Sequence, residues 1–287
     1  MTGDNEKLIS ITPSKGILVM LDALGVRGMS IEKCKEFLQN WINLISSTDE
    51  SLKLTVDAIY QRTLANIQQQ DDNAVNPSVI ETDIRPEFMT FGDTIVILWH
   101  AKYSVTHYVN PLAFVLCQLI LSALEAGIPM RGAISVGDFI SSNAKDSHGN
   151  SHRSVIGPAV SETAIWHEKA NLIGVIASPT FALKIRQVEL LYSKANERMP
   201  PLWVYTAIPC KNGETHELWS IGWPNMHCNA EADINSQKYG MLEYFSRCTN
   251  IFYDNAKYEN TLKFYEECIR KERELVREKK GADDLLK

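Results

Sequence analysis

The sequence predicts an α+β fold whose first half follows the order β-α-β-β-α-β. Three observations predict it: a short apolar run at Gly16–Asp22, two apolar pieces flanking Gly92-Asp93, and helical apolar spacing in the segments between strands. The second half adds further strands and helices, with no internal repeat. A chain of 287 residues can bury a full core without the help of disulfides or metals.

Composition limits the classes of function. With 45% hydrophobic and 22% charged residues, the chain has the composition of an ordinary globular protein. The net charge of −6 argues against binding nucleic acid or an anionic membrane, which call for a basic surface. Six cysteines without a Cys-x-x-Cys pair indicate free thiols in a reducing cytoplasm. We identify no signal peptide and no run approaching the roughly 18–20 apolar residues of a membrane helix.

The first strand and helices follow from local patterns. Gly16–Asp22 is a short apolar run, typical of a buried strand. Ser30 is a suitable N-cap for a helix, and the residues after it have helical apolar spacing: Ile31, Cys34, Phe37, Leu38, Trp41, Ile42 and Ile45. A second helical stretch begins near Leu52 and ends in polar residues. The segment Asp71–Pro86, with two prolines and little periodicity, is expected to be a loop.

The next elements complete the order. Glu87–Trp99 is expected to form a hairpin with Gly92-Asp93 at or near its tip. Pro111 opens an apolar helix that Gly127 ends, and Met130–Ile140 is the fourth strand. The resulting β-α-β-β-α-β order is that of ferredoxin-like folds.

We expect residues 1–222 to form one domain and residues 223–287 a helical extension, packed on this core or on a dimer partner. Ser141–His152 is expected to be a polar loop. The remaining predictions are, in chain order, a helix from Pro158 to about Lys169, a strand at Ile173–Ala177, a helix from Pro179 to about Lys194, strands at Leu202–Ile208 and Leu218–Ile221, and helices at about Tyr239–Asn255 and Tyr258–Lys280.

Two aspartates are expected to meet at one edge of the sheet. Asp22 ends the first strand and Asp93 lies in the hairpin before the third strand. The first and third strands are antiparallel neighbours in this order. Two converging carboxylates, with Gly25 and Gly92 nearby to let a phosphate approach, suit a hard divalent cation. Either aspartate alone is more often a turn residue, but the pair in this element order favours a metal site.

Four segments in order resemble class III nucleotidyl cyclases. They are LVMLDALGVRGMS, FMTFGDTIVIL, GIPMRGAISVGDFI and VIGPAVSETAIWHEKANLIGVIAS. The resemblance covers about Ile17–Ser178 and is greatest to the pyrimidine cyclases of bacterial antiphage Pycsar systems.

The resemblance implies a mechanism. Asp22 and Asp93 would bind two Mg²⁺ or Mn²⁺ ions, with the Ala23 carbonyl as a further ligand. Backbone N–H groups of Ala23, Leu24 and Gly25, continuing to Arg27, would hold the triphosphate. The active form would be a homodimer with its sites at the interface. The product would be a cyclic pyrimidine nucleotide, from UTP ahead of CTP, acting as an antiviral messenger on a separate effector.

The chain departs from the pattern of purine cyclases at the base-reading positions. Met89 and Ser154 stand where those enzymes keep polar or charged residues that read the base. A pyrimidine suits a smaller and less charged pocket. A purine cyclase with base contacts from Thr90 or the Ser141–Ser151 loop is the alternative.

A second departure concerns a transition-state arginine. The expected asparagine and arginine positions fall on Ser161 and Ile165 in one alignment, and on Glu162 and Trp166 in another. Neither alignment supplies an arginine. Either another cation stabilises the transition state, or the chain is a non-catalytic nucleotide sensor on the same fold. The candidate cations are Arg131, Arg153 and Lys169. Arg153 is nearest to the expected site, whereas Arg131 is expected to be a structural ion-pair partner.

Overall fold

A computed structural model describes residues 10–26, 29–68, 86–101, 105–145, 151–194, 201–227, 233–248 and 255–285. The strands are β1 (Ser10–Ala23), β2 (Glu87–Phe91), β3 (Thr94–His100), β4 (Met130–Lys145), β5 (Ser151–Ile156), β6 (Gly174–Ala177), β7 (Trp203–Pro209) and β8 (Thr215–Ile221). The helices are α1 (Ile31–Gln68), α2 (Val109–Glu125), α3 (Pro158–His167), α4 (Pro179–Lys194), α5 (Trp223–His227), α6 (Ile234–Arg247) and α7 (Asn255–Leu285), and a 3₁₀ turn at Val105–Tyr108 precedes α2.

One sheet organises the chain, in the order β2-β3-β1-β4-β6-β8-β7. The pairs β2–β3, β3–β1 and β1–β4 are all antiparallel, which confirms the ferredoxin-like order predicted from the sequence. Strand β6 joins β4 in parallel and carries the C-terminal pair β8–β7. The α+β fold is therefore as predicted, with the added strands extending the same sheet.

The main core lies between the sheet and helices on one of its faces. Helix α2 is central, with ten buried residues along its length, and α1 contributes Phe37, Trp41 and Leu44. The segment Val105–Glu125 is long and apolar enough to cross a membrane by length and composition alone, contrary to our expectation that no such run exists. Because 61% of its most apolar window is buried inside the fold, it has the character of a core helix.

The opposite face carries a smaller apolar cluster beneath α3. Its buried members are Leu18, Met89, Val96, Leu98, Phe139 and Ala159. Side chains alternate between faces along a strand, so Asp22 lies on the same face of β1 as Leu18. This face therefore positions both the candidate site and α3.

The structure differs from the local predictions in two places and adds one helix. The two helical stretches after Ser30 form one helix of 38 residues, because no glycine or proline interrupts them. Most of the predicted loop Ser141–His152 is hairpin: β4 continues to Lys145 and pairs with β5. The short helix α5 was not predicted. The predicted loop at 71–86 lies, but for Pro86, outside the described residues.

The C-terminal helices pack on the core of the same chain. The backbone N–H of Ile173 donates to Thr261 Oγ1 over 2.9 Å, and Asn260 Nδ2 donates to the Asn171 carbonyl over 3.0 Å. That residues 223–287 form a separate unit remains a prediction. Five cysteines are free thiols, as expected, and Cys228 lies outside the described residues.

Candidate functional site

The structure brings Asp22 and Asp93 to one edge of the sheet. Asp22 is the register partner of Thr94 on β3, the residue that follows Asp93. The backbone N–H of Ala23 donates to the Asp93 carbonyl over 2.9 Å. Both side chains are half-buried. The strand pairing thus holds the backbones of the two aspartates close together.

The Asp22 carboxylate has two partners on the neighbouring strands. Thr94 Oγ1 donates to Oδ1 over 3.3 Å, and Arg131 Nη2 lies 3.2 Å from Oδ2. Arg131 is the register partner of Asp22 on β4 and is only 7% exposed. Its Nε is buried without a hydrogen-bond partner among the described residues. Arg131 therefore forms an ion pair, as expected from the sequence, and its partner is Asp22.

The hairpin tip leaves room beside Asp93. Gly92 has a φ of 62°, a left-handed conformation that favours glycine. A Cβ at this position would meet no atom within 4 Å. The space next to Asp93 is therefore open to a ligand.

Two N–H groups of the predicted phosphate cradle already have backbone partners. The N–H of Ala23 already donates to Asp93, and the N–H of Leu24 donates to the Pro129 carbonyl over 2.8 Å. An N–H engaged in the sheet is not available to a phosphate. Gly25 is left-handed, with a φ of 83°, and Arg27 lies outside the described residues.

The donor set fits a hard divalent cation. Mg²⁺ and Mn²⁺ prefer oxygen ligands, and Mg²⁺ usually keeps several waters. Asp22, Asp93 and the Ala23 carbonyl are oxygen donors, and a carboxylate offers about four lone-pair positions, of which Asp22 uses two. The described residues contain no group of three or more histidine, cysteine, aspartate or glutamate side chains suited to a metal. A cation at Asp22 would have Arg131 as a neighbour.

Sequence reasoning missed Lys211, in the turn between β7 and β8. Partial burial lowers the pKa of Lys211, as do the positive charges of Arg131 and Lys257, while Glu168 and Asp22 raise it. Lys211 therefore lies within electrostatic reach of Asp22 and Arg131. The Asn212-Gly213 turn could be predicted from the sequence, but its proximity to Asp22 and Arg131 depends on the tertiary structure.

Lys169 lies next to this turn. Its backbone carbonyl accepts from the Lys211 N–H over 2.9 Å, and its ammonium lies 4.0 Å from the centre of the Trp166 ring. Arg131 and Lys211 thus lie near the Asp22 end of the sheet, with the Lys169 backbone beside Lys211. Such a cluster is suited to a polyanion.

Ser154 lies apart from the aspartate pair along β4. It is the register partner of Ser142, eleven positions along β4 from Arg131 (142 − 131). The Arg153 side chain reaches β2, where Nη1 donates to the Phe88 carbonyl over 3.4 Å. The structure therefore places Arg153 beside the strand that carries Met89.

Met89 does not present an open surface. Its side chain is 5% exposed and belongs to the cluster beneath α3, so a direct base contact is not supported. Ser154 is exposed and available to a ligand.

Helix α3 distinguishes the two alignments. Ser161 is exposed and Ile165 is 59% exposed. Glu162 instead accepts from the N–H of Thr180 over 3.2 Å and from its hydroxyl over 2.7 Å, which caps the start of α4. Of these four residues, Ser161 and Ile165 are the exposed ones, and neither carries a positive charge.

Comparison with known proteins finds distant structural likenesses only. No protein-family model matches the chain, and no curated protein matches it. The catalytic core of a rhodopsin-guanylyl cyclase with converted specificity, solved with ATPαS, is 12% identical with a TM-score of 0.42, over 74% of this chain and 97% of that one.

Two further solved structures are similar to the same extent. The adenylyl cyclase CyaB from P. aeruginosa is 11% identical, with a TM-score of 0.42, over 74% of this chain and 95% of that one. The guanylate cyclase domain of RhGC from Catenaria anguillulae, in complex with GTP, is 13% identical, with a TM-score of 0.42, over 73% and 97%. At this distance the likenesses assign neither substrate nor activity to this chain.

Proposed function

We propose that this protein is a nucleotidyl cyclase that converts a nucleoside triphosphate into a 3′,5′-cyclic nucleotide and pyrophosphate. The observation that carries the proposal is the Ala23–Asp93 backbone hydrogen bond, which holds two carboxylates at one sheet edge beside an open glycine turn. Paired carboxylates of this kind serve phosphoryl chemistry through divalent cations.

The roles of the residues follow from their charges. Asp22 and Asp93 would hold up to two Mg²⁺ or Mn²⁺ ions, with the Ala23 carbonyl as a further ligand. When bound, these cations would supply Lewis acidity to the ribose 3′-hydroxyl and charge neutralisation to the triphosphate. Arg131 and Lys211 would balance part of the remaining negative charge. The 3′-oxygen bonds to the α-phosphorus as its proton passes to solvent water, and the bond between the α-phosphorus and the departing pyrophosphate breaks.

The proposed substrate is a pyrimidine nucleotide, UTP ahead of CTP. Ser154 is exposed and offers a base edge a hydroxyl but no charge, whereas Met89 is buried beneath α3. A site with so few polar contacts suits a pyrimidine, which has fewer edge atoms to pair than a purine. Arg153, beside the Met89 strand, is the proposed cation at this end of the site. The role of the product as an antiviral messenger rests on the resemblance to Pycsar cyclases alone.

The proposed assembly is a homodimer with two shared sites. Within one chain, Ser154 is separated from Asp22 along β4, so a nucleotide that contacts both residues would lie between two copies. Phe91 and Ile165, on the face that carries Asp22, are 49% and 59% exposed. An isologous interface through this face would bury them and create two equal sites.

Product analysis tests the function. The purified full chain is incubated with equimolar ATP, GTP, CTP and UTP and Mn²⁺, and the products are identified by mass spectrometry. We expect cyclic UMP to predominate. A dominant cyclic purine would overturn the pyrimidine assignment and leave the cyclase assignment intact.

A non-catalytic nucleotide sensor is the second candidate. The absence of an arginine on α3 favours it. Nucleotide binding without any cyclic product from the four triphosphates would establish this reading in place of the enzyme.

A further inference from the structure

We propose that Arg131 controls metal occupancy at Asp22, by holding the carboxylate in a buried ion pair that a divalent cation has to displace or share. The inference rests on the proposed function, in which Asp22 is a metal ligand. It assigns to Arg131 a positioning and gating role that precedes any contact with substrate.

Sheet register makes this ion pair a fixed part of the fold. Asp22 and Arg131 are 109 positions apart in the chain but are direct partners in the β1–β4 ladder. The next residue on β4, Gly132, is packed so closely that a Cβ would lie 2.3 Å from the Met20 carbonyl oxygen. The two strands thus lie in close contact beside the ion pair, and ladder pairing on both sides of it fixes the two backbones relative to each other.

Burial strengthens the pair. The side chains of Arg131 and Asp22 are 8% and 20% exposed, so water screens their attraction less than on an open surface. Thr94 Oγ1 engages the other carboxylate oxygen. Both oxygens of Asp22 thus have donors before any cation arrives.

Neighbouring positive charge also reduces the attraction of the site for a bare cation. Arg131 already offsets the charge of Asp22, and Lys211, paired with Glu168 over 3.9 Å, adds positive charge within electrostatic reach. An anionic triphosphate would give Arg131 and Lys211 another partner, because the buried Nε of Arg131 still lacks one among the described residues. Metal and triphosphate should therefore bind with positive coupling, and metal alone should bind weakly.

Direct titration with Mn²⁺ in the absence of nucleotide tests the proposal. Free Mn²⁺ is measured by electron paramagnetic resonance for the full-length wild type and for Arg131→Met. We expect Arg131→Met to bind Mn²⁺ roughly tenfold or more tightly than the wild type, since a unit positive charge is removed from beside the ligand. Equal or weaker affinity in Arg131→Met would overturn the gating role.

Matched variants locate the effect. Arg186→Met makes the same substitution on α4, at an arginine paired with Glu189, and is expected to bind Mn²⁺ like the wild type; tightening equal to that of Arg131→Met would overturn the gating role. The double variant that combines Asp22→Asn with Arg131→Met is expected to lose the tight Mn²⁺ binding of Arg131→Met. If that double variant binds as tightly as Arg131→Met alone, the cation is not at Asp22 and both the gating role and the proposed metal site fail. If the wild type and Arg131→Met both fail to bind Mn²⁺, both assignments fail as well.

A second variant covers loss of folding. Arg131→Met leaves a partly buried carboxylate without its cation, which is destabilising, so folding is checked by circular dichroism. Arg131→Gln removes the same charge but keeps an amide donor for Asp22. We expect it to fold and to bind Mn²⁺ more tightly than the wild type, whereas Arg131→Lys, which keeps the charge, should stay near the wild type. Unchanged affinity in a folded Arg131→Gln would overturn the gating role.

Discussion

The backbone N–H of Ala23 donates a 2.9 Å hydrogen bond to the carbonyl of Asp93. This contact ties the end of β1 to the tip of the β2–β3 hairpin, so the backbones of Asp22 and Asp93 are held close together at one edge of the sheet.

Neutralising either aspartate should abolish turnover. Asp22→Asn and Asp93→Asn each remove a negative charge from the proposed ligand set while nearly preserving shape. We expect turnover to fall on the order of a thousandfold or more, with the fold retained. Cyclic nucleotide formation with Mg²⁺ or Mn²⁺ measures the loss, and near-normal activity in both variants would contradict the metal assignment.

If each site takes residues from both chains of a dimer, mixing two inactive variants should restore activity. Asp22→Asn and Arg153→Met would each be inactive alone. In a random mixture half of the dimers contain one chain of each kind, and each such dimer has one intact site, so about a quarter of wild-type activity should return. Light scattering reports the mass in parallel. Activity that stays at baseline in confirmed mixed dimers would show that each chain forms its site alone.

Lys211 should contribute to triphosphate binding while slightly lowering the free energy of unfolding. Its lowered pKa means that the folded state disfavours the ammonium, so Lys211→Met should slightly raise the free energy of unfolding. The side chain is 42% exposed, and solvent screening keeps this gain below about 1 kcal/mol. We expect KM for the triphosphate to rise roughly tenfold. Urea unfolding and steady-state kinetics measure the two effects, with Lys184→Met on α4 as the control.

Close packing at Gly132 predicts a stability difference between two glycine substitutions. In Gly132→Ala the new Cβ would lie 2.3 Å from the Met20 carbonyl oxygen and 2.6 Å from Leu21 Cδ2, so we expect a loss of about 3 kcal/mol. Gly240, in helix α6, has no atom within 4 Å of such a Cβ. Gly240→Ala should stabilise the protein by about 0.5–1 kcal/mol. Chemical denaturation of both variants checks the contrast, and similar losses in both would refute the packing argument.

Glu87 predicts a pH dependence of stability. Interaction with His100, whose Nε2 lies 3.3 Å from Oε1, lowers the pKa of Glu87 below its ordinary value of 4.5, and the charge of Arg153 contributes. A lowered carboxyl pKa stabilises the fold above about pH 4.5, and this contribution is lost as the pH falls through the folded-state pKa. Urea midpoints between about pH 3 and 6 should therefore fall less steeply in Glu87→Gln than in the wild type. Identical slopes would contradict this role.

Local patterns predicted the elements of the fold well, for identifiable reasons. The Gly92-Asp93 turn and the apolar spacing of α2 are encoded within a few residues, so the hairpin and the helix both appear where expected. The polar composition of Ser141–His152 suggested a loop, but strand pairing with β4 made most of it a hairpin. Composition reports exposure more directly than backbone conformation, since exposed strands are polar too.

What the sequence by itself determined is the order of strands and helices, the placement of Asp22 and Asp93 at strand ends, and the lack of an arginine on α3. Each depends on residues close together in the chain. What only the tertiary structure decided is which groups surround those aspartates. Arg131 pairs with Asp22, Lys211 reaches the same edge, and the N–H groups of Ala23 and Leu24 are already used. These contacts depend on the register between distant strands, and register is set by packing of the whole sheet rather than by any local pattern.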